Sequence, residues 1–127
     1  MAFTVVNYGG EVKRLSRGWP TQLGTLGAQY QAVAFAISPG EIGTLRKLVI
    51  TINGTLEATV YLEFSLDNGT SWGVVPTIAS DVAIASGADT AAQWAARYEI
   101  SGLDGALFRC GLTTYSSGSG VVFASVG

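Results

Sequence analysis

Between Glu57 and Pro76 the chain reads E-A-T-V-Y-L-E-F-S-L-D-N-G-T-S-W-G-V-V-P, and no other stretch limits the fold as much. Ala58, Val60, Leu62 and Phe64 alternate with Glu57, Thr59, Tyr61 and Glu63. A period of two is the mark of a strand with one face buried and one face wet. Asp67-Asn68-Gly69-Thr70 follows, in which Asn and Gly tolerate positive φ and so turn the chain tightly. Trp72, Val74 and Val75 begin the return strand. The stretch is a β-hairpin.

Other segments repeat the pattern. Val33, Phe35 and Ile37 alternate with small alanines, and Ser38-Pro39-Gly40-Glu41 then breaks the run. Leu48, Ile50 and Ile52 share one face of a strand over 46–52, which Asn53-Gly54-Thr55 turns into the hairpin. The run 77–92, rich in Ala, Ser, Asp and Gly, reads as a long surface loop. Residues 90–96 have good helix propensity, but Trp94, Ala96, Tyr98 and Ile100 alternate as in a strand. Strands over 106–114 and 121–126 close the chain, joined by a flexible turn at 115–120. Seven to nine strands with turns between them predict an all-β, antiparallel β-sandwich, with a jelly roll among the topologies that fit.

Residues 1–30 differ. Gly9-Gly10, Gly18, Pro20, Gly24 and Gly27 interrupt every extended piece, so no long apolar face forms. Phe3, Val5, Tyr8, Leu15 and Trp19 nevertheless argue against disorder. The expectation is an extended N-terminal arm over 1–30 and a sandwich domain over 31–127. The arm would lie on the domain or add to a neighbour's sheet edge. Its candidate assembly residues are Phe3, Val5, Tyr8, Lys13, Arg14, Leu15, Arg17 and Trp19.

Composition narrows the partners. The chain has 127 residues, enough for one core, yet charged residues make up only 13%, about half the roughly 25% usual for globular chains. With 48% hydrophobic residues, part of the apolar surplus is expected to be covered by other subunits. A net charge of −2 gives no nucleic-acid footprint. Lys13, Arg14 and Arg17 do cluster, which reads as a solvated strand. No apolar run reaches the roughly 20 residues of a membrane span, and no basic, apolar leader opens the chain. Folding in the cytoplasm is therefore expected. Both Asn-Gly-Thr triplets match the glycosylation pattern, but turn chemistry accounts for them.

No enzyme is expected. There is no histidine, and Cys110 falls on the apolar side of an alternating run, where it acts as a small hydrophobe. Glu57 and Glu63 share a strand face without forming an acid pair, and no phosphate-binding glycine motif is present. Asp67, Asn68 and a carbonyl would fall short of the 6–8 oxygens a calcium ion takes. Neither metal nor cofactor is expected.

Two resemblances go further. Ser65, Asp67, Gly69 and Trp72 fit S-x-D-x-G-x-x-W and so resemble an Asp-box hairpin, which implies a folding device: the aspartate ties the turn to backbone amides and the tryptophan packs beneath it. From Arg46 onward, L-V-I-T-I-N-G-T, V-Y-L-E-F-S-L-D-N-G-T-S-W, A-R-Y-E-I-S-G-L-D-G-A-L-F-R and S-S-G-S-G-V-V-F-A-S-V resemble small β-sandwich virion proteins of tailed bacteriophages. That resemblance implies a structural protein on the capsid surface, synthesised in the host cytoplasm. It would be a decoration (cement) protein, self-associating as a dimer or trimer and bound to the major capsid protein. A tail or baseplate accessory protein is the alternative, as is a glycan-binding module using Tyr61, Trp19 and Trp94.

Overall fold

The computed structural model describes residues 3–15, 20–37, 47–75, 93–100, 103 and 105–126. Among them run β1 (Thr4–Val5), a 3-10 turn (Tyr8–Gly10), β2 (Lys13–Leu15), β3 (Thr21–Leu26), β4 (Gln31–Ile37) and β5 (Lys47–Gly54). They continue with β6 (Glu57–Ser65), β7 (Gly73–Val74), β8 (Gln93–Glu99), β9 (Leu107–Ser117) and β10 (Gly120–Val126). Sheet I has the order β1-β4-β9-β6-β7, with β2 also paired to β4; sheet II has the order β3-β10-β5-β8. The two sheets pack face to face as a β-sandwich.

Alternation places the core. Val33, Phe35 and Ile37 of β4, Phe108, Cys110 and Leu112 of β9, and Ala58, Val60 and Leu62 of β6 point inward from sheet I. Leu48, Ile50 and Ile52 of β5 and Val122, Ala124 and Val126 of β10 meet them from sheet II. In-register pairing puts Phe35 and Phe64 on either side of Phe108. Phe35 and Phe108 stack with centroids 5.4 Å apart, a favourable offset spacing for aromatic rings. Cys110 is buried among these side chains.

Among the described residues every ladder is antiparallel except two: β1 and β2 both run parallel to β4. This is where the structure departs from an arm that ends at residue 30. Thr21–Leu26 is a strand of sheet II, paired with β10 over Gly120 to Ala124. Leu15, Leu23 and Leu26 are buried in the common core. The physical reason is edge satisfaction. Without residues 3–26, β4 and β10 would each present an open ladder and an uncovered apolar flank. Leu15 is thus a core residue and not an assembly contact.

The strand expected from the alternation of Trp94, Ala96 and Tyr98 is present, and the closing turn differs from expectation. The segment 93–99 is a strand because its partner β5 pairs with it residue for residue from Lys47 to Asn53; long-range pairing overrides helix propensity. The turn between the last two strands is tighter than a flexible 115–120 loop. β9 continues to Ser117, Gly118 takes φ 82°, and the Tyr115 hydroxyl donates to the Gly118 carbonyl at 2.8 Å. The register shift between Thr59 and Val60 of β6, against β9, turns Tyr115 back against the core. The turn expected at 38–41, the loop expected over 77–92, and Arg17, Trp19 and Arg46 lie outside the described residues.

Candidate functional site

The hairpin is built on Asp67. Its Oδ1 accepts from the Ser65 hydroxyl at 2.7 Å and from the backbone amides of Thr70 and Ser71 at 3.1 and 2.9 Å. Oδ2 accepts from the Ser71 hydroxyl at 2.6 Å. The Gly69 amide donates to Ser65 Oγ at 2.7 Å, and the Trp72 indole donates to the Gly69 carbonyl at 3.2 Å. Asn68 and Gly69 sit at φ 58° and 93°, which is why this turn needs Asn-Gly. The hydroxyls of Ser71 and Ser65 and the Ser71 amide hold the Asp67 carboxyl well below the usual carboxylate range. The four motif residues meet in one turn whose carboxylate is spent on backbone and hydroxyl donors.

The turn delivers Trp72 onto the outer face of sheet I, beside a cross-strand ion pair. Glu63 and Arg109 are direct cross-strand partners, and Arg109 Nε donates to Glu63 Oε1 at 2.7 Å. The guanidinium lies 3.9 Å from the Trp72 ring centroid and 4.7 Å from that of Phe3. Phe3 in turn meets Tyr30 edge-on at 6.2 Å. Phe3 fits there because Gly111 leaves the space open: a Cβ at Gly111 would stand 2.7 Å from the ring. Tyr61, opposite Gly111 across the ladder, is exposed on the same face. The outcome is a face that carries several aromatic rings and one clamped arginine. A shallow groove of about 340 Å³ borders it, lined by Phe64, Leu66, Asp67, Ser71, Trp72 and Gly73.

The N-terminal segment forms a seam between the sheets. The Asn7 backbone bridges to Gly24 of sheet II, while its carboxamide pairs with Ala34 of sheet I. Asn7 Oδ1 accepts from the Ala34 amide at 2.8 Å, and Nδ2 donates to the Ala34 and Glu11 carbonyls, both at 2.7 Å. The side chain thereby fills the gap in β4's ladder between β1 and β2. Gly24 allows this approach, since a Cβ there would lie 2.6 Å from the Val6 carbonyl oxygen. Of the expected assembly residues, Phe3 is half-buried on the aromatic face, and Val5, Tyr8 and Arg14 are exposed. Lys13 is half-buried beside Leu15 on β2. The structure brings Phe3 and Trp72 to the same guanidinium, whereas the Tyr8 hydroxyl bonds to Gln22 and Thr25 of β3.

Neither the Asn7 pairing nor the partner of Arg109 is legible in the sequence. Both depend on contacts between distant segments, and a lone Asn before Gly-Gly carries only a turn signal. Of the aromatics considered for sugar stacking, Tyr61 is placed on this face; the Trp94 side chain and Trp19 lie outside what is described. Among the described residues, no three of His, Cys, Asp and Glu converge to hold a metal ion. No helix among them is long and apolar enough to cross a membrane. Comparison with protein-family models finds no match, and comparison with curated proteins finds no significant match.

Proposed function

We propose that this chain is a structural virion protein, a capsid decoration protein that self-associates and binds the major capsid protein of a phage head. The observation that carries the reading is the outer face of sheet I. Trp72 and Arg109 hold each other there by stacking, with Tyr61 exposed on the same face, on a chain with few charges, and these residue types dominate binding energy at protein interfaces. Stacking favours docking because less side-chain freedom is left to lose on contact. Binding an assembled shell but not its free subunits would stabilise the shell by mass action. The resemblance to small phage virion proteins gives this docking face its partner.

The test is immunogold labelling of intact particles, followed by sedimentation of the purified chain with shells that lack it. Gold spread over the head is the expected result. Tyr61→Glu, which places a charge on this face without touching the core, should weaken shell binding by tenfold or more, since a central interface residue is worth about 2 kcal/mol. Gold confined to the tail would move the reading to a tail or baseplate accessory protein. A glycan-binding module is a second reading, favoured by the groove beside Trp72 and by exposed Tyr61. A glycan array without hits counts against it.

A further inference from the structure

Asn-Gly occurs twice in the chain, at 53–54 and 68–69, and Thr follows each pair. An asparagine before glycine is open to a reaction whose only co-reactant is water. The Gly nitrogen, its proton given up to water, forms a bond to the Asn Cγ. The Cγ–Nδ2 bond breaks, and ammonia leaves with a proton taken from water. A second water then opens the cyclic imide at either carbonyl. One opening gives aspartate; the other gives isoaspartate, whose main chain runs through the β-carbon. Glycine favours the attack because no Cβ crowds its nitrogen. Both asparagines are exposed, and the residues that follow them are the same. The fold separates them.

Ring closure requires the backbone between Asn and Gly to turn until the nitrogen faces the carboxamide. Asn53 lies on β5, paired on both sides, opposite Val121 of β10 and Gln93 of β8. The backbone of Ser119 and Gly120 covers Gly54, and the Thr55 amide donates to the Ser119 carbonyl at 2.9 Å. Turning this segment would unzip the ends of two ladders at once. Asn68 and Gly69 instead form the tip of the hairpin, between β6 and β7, at φ 58° and 93°. There the Gly69 N–H donates to Ser65 Oγ at 2.7 Å. Ser65 is 1% exposed, and its own proton goes to Asp67 Oδ1 at 2.7 Å. Its oxygen is thereby kept turned toward Gly69.

We infer that Asn68 is a site of spontaneous deamidation, and that the Ser65 hydroxyl sets its rate by holding the proton on the Gly69 nitrogen. The nitrogen attacks only once that proton is lost, and a bond to the protonated form opposes the loss. Asn53 is spared by its two ladders. The product matters because of what this turn carries. Isoaspartate at 68 lengthens the main chain between Asp67 and the amides of Thr70 and Ser71 that bond to Asp67 Oδ1. Those bonds, with the Trp72 indole on the Gly69 carbonyl, set Trp72 over the Arg109 guanidinium. The reaction is thus a slow, irreversible release of Trp72 from the outer face of sheet I. It belongs to the hairpin alone and stands whatever that face binds.

The experiment incubates the full wild-type chain in mildly alkaline buffer, folded and in guanidinium chloride, and follows both peptides by mass spectrometry. Unfolded, the two asparagines should convert at similar rates. Folded, Asn68 should convert about tenfold or more faster than Asn53, since opening two ladders costs more than freeing one side-chain bond. Equal rates in the folded chain, a faster Asn53, or an Asn68 that converts only when unfolded would overturn the assignment. Ser65→Ala removes the acceptor and should speed Asn68 by roughly tenfold. Ser71→Ala also loosens the turn, by taking a donor from Asp67 Oδ2, but leaves the Ser65–Gly69 bond in place. It should speed Asn68 far less; equal acceleration in the two variants would remove Ser65 from the role. The isoaspartate form, separated by ion exchange on its added negative charge, should show a shifted Trp72 indole proton resonance. An unmoved resonance would overturn the release of Trp72.

Discussion

Asn7 and Asp67 use the same chemistry for different ends: a short side chain stands in for backbone. Asn7 supplies β4 with the acceptor and donor that a strand residue would have supplied. Asn7→Ala would leave the buried Ala34 amide and carbonyl without partners, at about 2–3 kcal/mol. The expected outcome is a lower urea midpoint with an unchanged slope. Asp67 instead ties a turn exposed to water. Its folded pKa lies below the ordinary value of 3.8 because the Ser71 and Ser65 hydroxyls and backbone amides favour the charged form. Such a group adds stability above its unfolded pKa and loses it as pH falls from about 4 toward the folded value. Asp67→Asn should therefore lower stability at neutral pH and flatten the stability–pH profile below about pH 4. Denaturant titrations across that range check it.

Among elements, β6 and β9 carry the face that matters. Their ladder sets Glu63 against Arg109, and two further segments then close on the guanidinium: the hairpin through Trp72 and the N-terminus through Phe3. One side chain thus joins four segments of sheet I. Arg109→Met keeps most of the hydrocarbon between the rings but removes two cation–π contacts and leaves Glu63 unpaired. Its cost should be about 2–3 kcal/mol. Glu63→Gln retains an acceptor for Arg109 Nε and should cost less than about 1 kcal/mol. Thermal unfolding of both single variants and the double variant would give their coupling, expected near 1 kcal/mol. Equal losses in the two single variants would mean that the ion pair, and not the stacking, holds the clamp.

For the whole molecule, the N-terminal quarter is the seam that closes the sandwich. Deleting residues 1–28 removes Leu15, Leu23 and Leu26 from the core and strips β3 from β10. Losing a buried leucine side chain costs about 2–5 kcal/mol, so three of them rival the stability of an entire domain, about 5–15 kcal/mol. The truncated chain should lose cooperative unfolding and near-ultraviolet circular dichroism. A folded, soluble 29–127 fragment would show that the two sheets close without the seam.

The sequence by itself determined the parts whose physics is local. Strand faces follow from alternation, and the Asp67 hairpin from eight consecutive residues whose donors and acceptors satisfy one another. The two-sheet architecture follows from many such strands with no helix between them. Only the tertiary structure decided which strands are neighbours. Glu63 and Arg109 are 46 residues apart, and Asn7 and Ala34 are 27 apart. Nothing in the spacing of such pairs records their contact. By sequence alone the glycines of the first 26 residues read as interruptions of an arm, since a glycine signals a turn and a close backbone approach equally well. Gly24 is there because the Val6 carbonyl passes over it, a fact that exists only once the two sheets have met.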